Sequence, residues 1–197
     1  MIMCSRFEMD APWSDLSQRF GLDDAPDGFT NGEIRPTDMA LIITSGGSAR
    51  AMSWGIPASW DGKPLINARC ETLEQKQSFH PLLTNRCLVP ASAYFEWRRD
   101  GKKRHKNTIS LGDKVLMAFA GLRTDEHFTI ITCQPTPSVA HIHNRMPVIL
   151  PEIAESQWCD NMRPFDDVRH LLKPDESNAL IAIEVPEPVT SQPDLFD

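Results

Sequence analysis

The 197-residue sequence contains no apolar run approaching the roughly 18 residues of a membrane-spanning helix, so no transmembrane segment is expected. Its start, MIMCSRFEMD, has neither a basic leader nor an apolar stretch, which removes the signature of a secretory peptide and makes the cytoplasm the expected compartment. The five cysteines, Cys4, Cys70, Cys87, Cys133 and Cys159, share no repeated spacing, and their odd number fits reduced thiols better than a disulfide framework. Neither Cys-x-x-Cys nor His-Glu-x-x-His occurs, so neither a metal nor another cofactor is expected. No internal repeat is evident.

The net charge of −7 argues against a nucleic-acid partner only until its distribution is considered. Residues 152–197 carry eleven Asp/Glu and three Lys/Arg, a net of −8, which leaves +1 for residues 1–151. Within that body Arg98, Arg99, Lys102, Lys103, Arg104 and Lys106 crowd into nine residues with Asp100. Such a stretch suits a phosphate backbone, or else a solvated hairpin tip.

Short strand signals recur at 40–44, 51–55, 86–92, 94–98, 107–111, 114–122, 127–133 and 145–150. Helices are expected over 11–20, capped by Ser14 or Asp15 and stopped by Gly21, over 71–83 with Pro81 at its end, and over 151–159 from Pro151. Residues 22–38 read as loop, and Asp100-Gly101 as a two-residue hairpin turn. The pattern predicts an α+β fold: a mostly antiparallel β-sheet or open barrel core with a few flanking helices. One catalytic domain over 1–184 and a flexible acidic tail over 185–197 are expected.

Four clusters carry chemistry: MCSRF at 3–7, PLINARCET at 64–72, YFEW at 94–97 and HIHNRMPVIL at 141–150, with WGIPASW at 54–60 ahead of the second. In this order they resemble the SOS-response-associated peptidase (SRAP) family, whose members act on abasic sites, over roughly residues 3–151. A ring-opened abasic deoxyribose presents an aldehyde, and an N-terminal cysteine offers it an amine and a thiol on adjacent carbons. With an α-amino pKa of roughly 7.7–8.0, part of the amine is neutral and nucleophilic at physiological pH. The resemblance gives this role to Cys4, forming a thiazolidine crosslink to single-stranded DNA that shields the lesion.

Glu96 lies between Phe95 and Trp97, so on a strand it points away from both rings, and partial burial would suit it to proton transfer. The resemblance assigns it that task, and gives His143 the protonation of the sugar oxygen during ring opening. His141 and His143 would share a face of an extended segment, a spacing that also suits a metal, but His141 has no counterpart in the family pattern. Asn67 and Arg69, two apart, would face the same way; by resemblance Asn67 belongs to the active site, while Arg6 and Arg69 contact the DNA backbone. Arg98 and Arg145 are further expected DNA contacts, and Glu71 would orient an arginine or start a helix. Trp54, Trp60 and Trp97 would stack on bases or pack in the core.

Cys4 follows three residues, whereas the family's cysteine directly follows the initiator Met. Translation from Met3, or self-processing, would expose it. The family's Asn-x-Ala-Pro element is reduced here to EIRPTDMA, and no substrate contacts carry over to the C-terminal region. In the tail, Gln192, Leu195 and Phe196 of QPDLF resemble the short peptides by which bacterial DNA-processing proteins dock on the sliding clamp. Two alternatives remain open: a non-covalent single-stranded DNA-binding module, and a peptidase using Cys4, Glu96 and His143.

Overall fold

The computed structural model describes residues 5–58, 62–112, 116–176 and 179–186. In chain order these form β1 (Phe7–Met9), α1 (Trp13–Phe20), β2 (Gly32–Ile34), β3 (Met39–Thr44), β4 (Ser48–Trp54), β5 (Asn67–Arg69), β6 (Arg86–Ala91) and β7 (Ala93–Asp100). There follow β8 (Lys103–Leu111), β9 (Met117–Arg123), β10 (His127–Cys133), β11 (Met146–Pro147), β12 (Ile149–Leu150), α2 (Glu152–Cys159), α3 (Phe165–Val168) and β13 (Leu180–Glu184).

The expected α+β class holds, but the barrel is closed rather than open. Strands β10, β4, β3, β6 and β9 pair in that order, and β9 returns to β10 through Thr129↔Leu122 and its neighbours. Every residue of β6 is buried, as are all but the terminal residues of β9 and β10, because walls enclosed on both faces read as continuous apolar runs. A Cβ built on Gly121 would lie 2.9 Å from the Cys87 sulfur and 3.1 Å from the Thr129 carbonyl, so only glycine lets β9 approach β6 and β10 this closely. One edge of β10 carries the parallel strands β4 and β5, the other the antiparallel strands β9 and β11.

The second sheet, ordered β13-β8-β7-β1-β2, is antiparallel throughout. The chain passes from barrel to sheet at Ser92, whose backbone N–H and hydroxyl both donate to the Glu8 carbonyl. Phe7 of β1 lies edge-on to Trp54 at 5.0 Å and to Phe119 at 6.0 Å, joining the two layers. Removing each such ring from water contributes about 2 kcal/mol.

Several local expectations are corrected. Residues 71–83 form two separate 3-10 turns, Cys70–Thr72 and His80–Leu82, rather than a helix. Leu73 and Phe79 are both buried, yet six residues advance about 600° around a helix, which would place them roughly 120° apart. The cap of α1 is Pro12, whose carbonyl accepts from Asp15 and Leu16, while the Ser14 hydroxyl bonds the Asp15 carboxylate. Gly21 does end the helix, at φ 63°. Residues 32–34, within the expected loop, are β2.

The β7–β8 turn is Gly101-Lys102, one residue beyond Asp100-Gly101, because Asp100 pairs with Lys103. Residues 145–150 split into β11 on β10 and β12 on β9. Pro147 has no N–H to continue a ladder, and Val148 bridges the two strands, donating to Ile131 and accepting from Ala120.

The C-terminal helices are riveted to the barrel by Arg86. Its enclosed guanidinium donates to the carbonyls of Leu83 (2.6 Å), Trp158 (2.7 Å), Arg163 (3.0 Å) and Asp160.

Candidate active site

Strand alternation in β7 places Glu96 opposite its aromatic neighbours, as its sequence context suggests. The Lys106 ammonium lies 3.9 Å above the Phe95 ring, and the Arg6 guanidinium 5.7 Å from that of Trp97. Glu96 itself is 4% exposed. In register across the ladder stands Asn107, also buried, a neighbour that the sequence did not single out.

His143 reaches Glu96 from the turn that follows β10. Thr136 and Val139 carbonyls close this turn by accepting from Val139, Ala140, Ile142 and His143. The His143 Nδ1 lies 3.9 Å from the Glu96 Oε1, with side chains only 9% and 5% exposed. Burial lowers the His143 pKa from its ordinary value. Because the segment is a turn and not a strand, His141 and His143 do not share a face: His141 is exposed to solvent. Among the described residues no three His, Cys, Asp or Glu side chains gather as a metal site.

The end of β10 assembles the next group. Asn67 and Arg69 pair beside Ile130 and Thr132, with Ala68 between them turned into the core, so the two do share the opposite face. Glu71 grips Arg145 through two bonds of 2.5 and 2.9 Å, while the Arg145 Nη2 also donates to the Thr132 carbonyl at 2.6 Å. The bond from Arg145 holds the Glu71 carboxyl below its usual range. Beside this pair burial pushes the Cys70 thiol up to about 11 and the Cys133 thiol up to about 12. A protonated thiol is a poor nucleophile, so these two cysteines do not compete for the chemistry.

Other expected contacts are placed differently. Trp54 is fully enclosed, its Nε1 donating to the Ile66 carbonyl at 2.9 Å, and no face is left for a base. Trp97 is half-buried beneath Arg6. Arg6 pairs with Glu33 at 2.5 Å, and Lys106 meets the same carboxylate at 2.8 Å. These cations lower the Glu33 pKa, Lys106 most strongly. The role of Glu33 was hidden in a segment read as loop. Arg98 pairs with Glu184 of β13 at 2.8 Å, and Arg99, Lys102, Lys103 and Arg104 are exposed on the β7–β8 hairpin. Most of the basic stretch is thus strand, with only its centre a tip. Cys4, Trp60, Gln192, Leu195 and Phe196 lie outside the described residues.

A pocket of about 600 Å³ lies elsewhere, between Arg19 and Phe20 of α1, the β3–β4 turn and α2. Arg19 and Glu155 close its wall with bonds of 3.0 and 2.6 Å. It holds neither Glu96 nor His143.

In sequence and in fold the chain is similar to known proteins. Abasic site processing protein YoqW of Bacillus subtilis (strain 168) is 35% identical, over 96% of this chain and 95% of its own length. YobE of the same strain, another abasic site processing protein, is 33% identical over 99% of each chain. Among solved structures, a protein from Bacteroides thetaiotaomicron superposes with a TM-score of 0.81 at 25% identity, covering 93% of this chain and 92% of its own. A protein from Bordetella bronchiseptica shares the fold with a TM-score of 0.82 at 23% identity, over 93% of this chain and all of its own. The family described as SOS response associated peptidase (SRAP) matches residues 3–192, beyond the residue 151 at which the recognised motifs end, and the chain belongs to that family.

Proposed function

We propose that this protein processes abasic sites by capturing them covalently in single-stranded DNA, through the amine and thiol of Cys4 after residues 1–3 are removed. The observation that carries the reading is the buried Glu96–His143 pair, 3.9 Å apart, beside the strand that leads from Cys4. Arg6, two residues after Cys4, accepts the Phe95 N–H at 3.0 Å, so the start of the described chain runs alongside the peptide before Glu96. The abasic-site names of relatives matching nearly the whole chain agree with it.

In this reading the C1′ hydroxyl passes its proton to Glu96 while the sugar ring oxygen takes one from His143, and the ring opens to the C1′ aldehyde. The Cys4 amine adds to that carbon, and Glu96 relays protons as water leaves and the imine forms. The thiol then adds across the C=N bond, its proton passing to nitrogen and closing the thiazolidine. Asn67 holds the sugar by hydrogen bonds. Arg69 and the exposed hairpin cations follow flanking phosphates, and Arg6 joins them by exchanging Glu33 for a phosphate. The tail residues Gln192, Leu195 and Phe196 dock the protein on the sliding clamp, an interaction that a double Leu195→Ala, Phe196→Ala variant should abolish in a clamp-binding assay.

The test is denaturing electrophoresis of protein beginning at Cys4, mixed with single-stranded DNA bearing one abasic site. A heat- and detergent-resistant band that disappears in Cys4→Ala supports capture. A complex released by high salt, with no such band, would leave a non-covalent DNA binder. Intact mass of protein made from its own start supplies a second check, since retained Met-Ile-Met leaves the Cys4 nitrogen acylated and unable to form an imine.

A further inference from the structure

We propose that Glu71 is a positioning residue for His143: acting through Arg145, it holds the imidazole as the tautomer whose proton sits on Nε2. This rests on the reading of His143 as proton donor to the sugar.

The Arg145 backbone N–H donates to His143 Nδ1 at 3.2 Å. A main-chain N–H is an obligatory donor that cannot reverse, so a proton on Nδ1 would meet it head-on. The neutral ring therefore carries its proton on Nε2, which is buried and makes no hydrogen bond to any described residue. That leaves the donor free for a substrate oxygen. Two other groups compete for the opposite tautomer. The Arg145 carbonyl lies 3.3 Å from Nδ1 and the Glu96 carboxylate 3.9 Å, and both are acceptors that would welcome a proton there. The balance depends on where the Arg145 main chain is held.

Glu71 does the holding. Its carboxylate takes both Arg145 terminal nitrogens at 2.5 and 2.9 Å, while the Thr132 carbonyl takes Nη2 at 2.6 Å. The arginine is thereby strapped to β10 on one side and to the end of β5 on the other, 74 residues away in sequence. Only 11% of the Arg145 side chain is exposed, so the ion pair is a fixed part of the fold. Glu71, 44% exposed, can be replaced without opening the core.

Nitrogen-15 NMR of the imidazoles in the full chain reads the tautomer directly, with His143 assigned from a His143→Gln sample. Wild type should show an unprotonated-type shift at Nδ1 and a protonated-type shift at Nε2. In Glu71→Ala both nitrogens should move toward intermediate values, and Glu71→Asp should restore most of the wild-type pattern. In parallel, single-turnover crosslinking to abasic DNA should fall roughly tenfold or more in Glu71→Ala, with DNA affinity within about twofold. Unchanged nitrogen shifts in Glu71→Ala overturn the proposal. So does a variant that binds DNA more tightly and reacts as fast as wild type, for Glu71 would then merely compete with phosphate for Arg145. If the wild type forms no crosslink at all, the functional reading fails while the nitrogen shifts still decide the role of Glu71.

Discussion

Arg86 and Arg145 carry the same guanidinium into opposite circumstances. Arg86 is fully enclosed, and its side chain bonds only main-chain carbonyls, tying β6 to the turns around α2. Arg145 divides its donors between a half-exposed carboxylate and the Thr132 carbonyl, with its own backbone touching His143. An enclosed cation among neutral acceptors is a rivet: take it away and several dry carbonyls lose their donor at once. A cation shared with a solvent-facing acid is a strut, which can be slackened without unfolding the protein. The first arginine serves stability and the second serves placement.

The sharpest way to break that contrast is Arg86→Met. With four carbonyls stripped of their donor, urea unfolding should show a loss of about 3–5 kcal/mol. A loss under about 1 kcal/mol would mean that water enters and the rivet is dispensable. Arg145→Lys should do the reverse, because an ammonium cannot span Glu71 and Thr132 with the same fork. It should lower stability by no more than about 1 kcal/mol while slowing crosslinking roughly tenfold or more.

The thiols near each arginine sharpen the comparison further. Burial pushes Cys159, beside Arg86, up to about 12, and Cys70 and Cys133, beside Arg145, up to about 11 and about 12. Unfolded thiols ionise near about 8.5, so above that pH the unfolded chain binds fewer protons than the folded one. Stability is therefore full below about pH 8.5 and falls as pH rises through the folded values. Unfolding series at rising pH should show this slope, and Cys159→Ala and Cys133→Ala should each flatten it. The smallest effect is expected at Arg98→Ala, where an exposed pair with Glu184 is lost. Its unfolding midpoint should match wild type, and the salt dependence of DNA binding should drop by about one unit of slope.

What could be read from the sequence divides along similar lines. The strands at 40–44, 86–92 and 127–133 were legible because walls buried on both faces need unbroken apolar runs. Pro151 and Gly21 marked helix ends through their own backbone restrictions. Residues 71–83 misled because they are polar enough for a surface helix, while the spacing of Leu73 and Phe79 fits none. Glu96 and His143 were legible as residue types in recognisable strings. Their approach was not, since it depends on where a turn after β10 meets a strand of the other sheet. Likewise Glu33 and Glu71 are ordinary carboxylates until strand pairing sets them against Arg6 and Arg145. Trp54 carried no mark to separate a stacking ring from a packed one, and the closed barrel decided it.

The four partners of β10 have a consequence for how the molecule is born. Residues 127–133 draw on β4 and β5, which are synthesised long before them, on β9 just before, and on β11 just after. On the ribosome the first hundred or so residues can pair among themselves, yet the barrel has no closing stave until this one emerges. Both halves of the Glu71–Arg145 strut are set by the same stave, and His143 hangs from the turn beyond it. A nascent or truncated chain lacking β10 would thus leave Glu96 without its histidine, so the buried pair exists only in a finished protein.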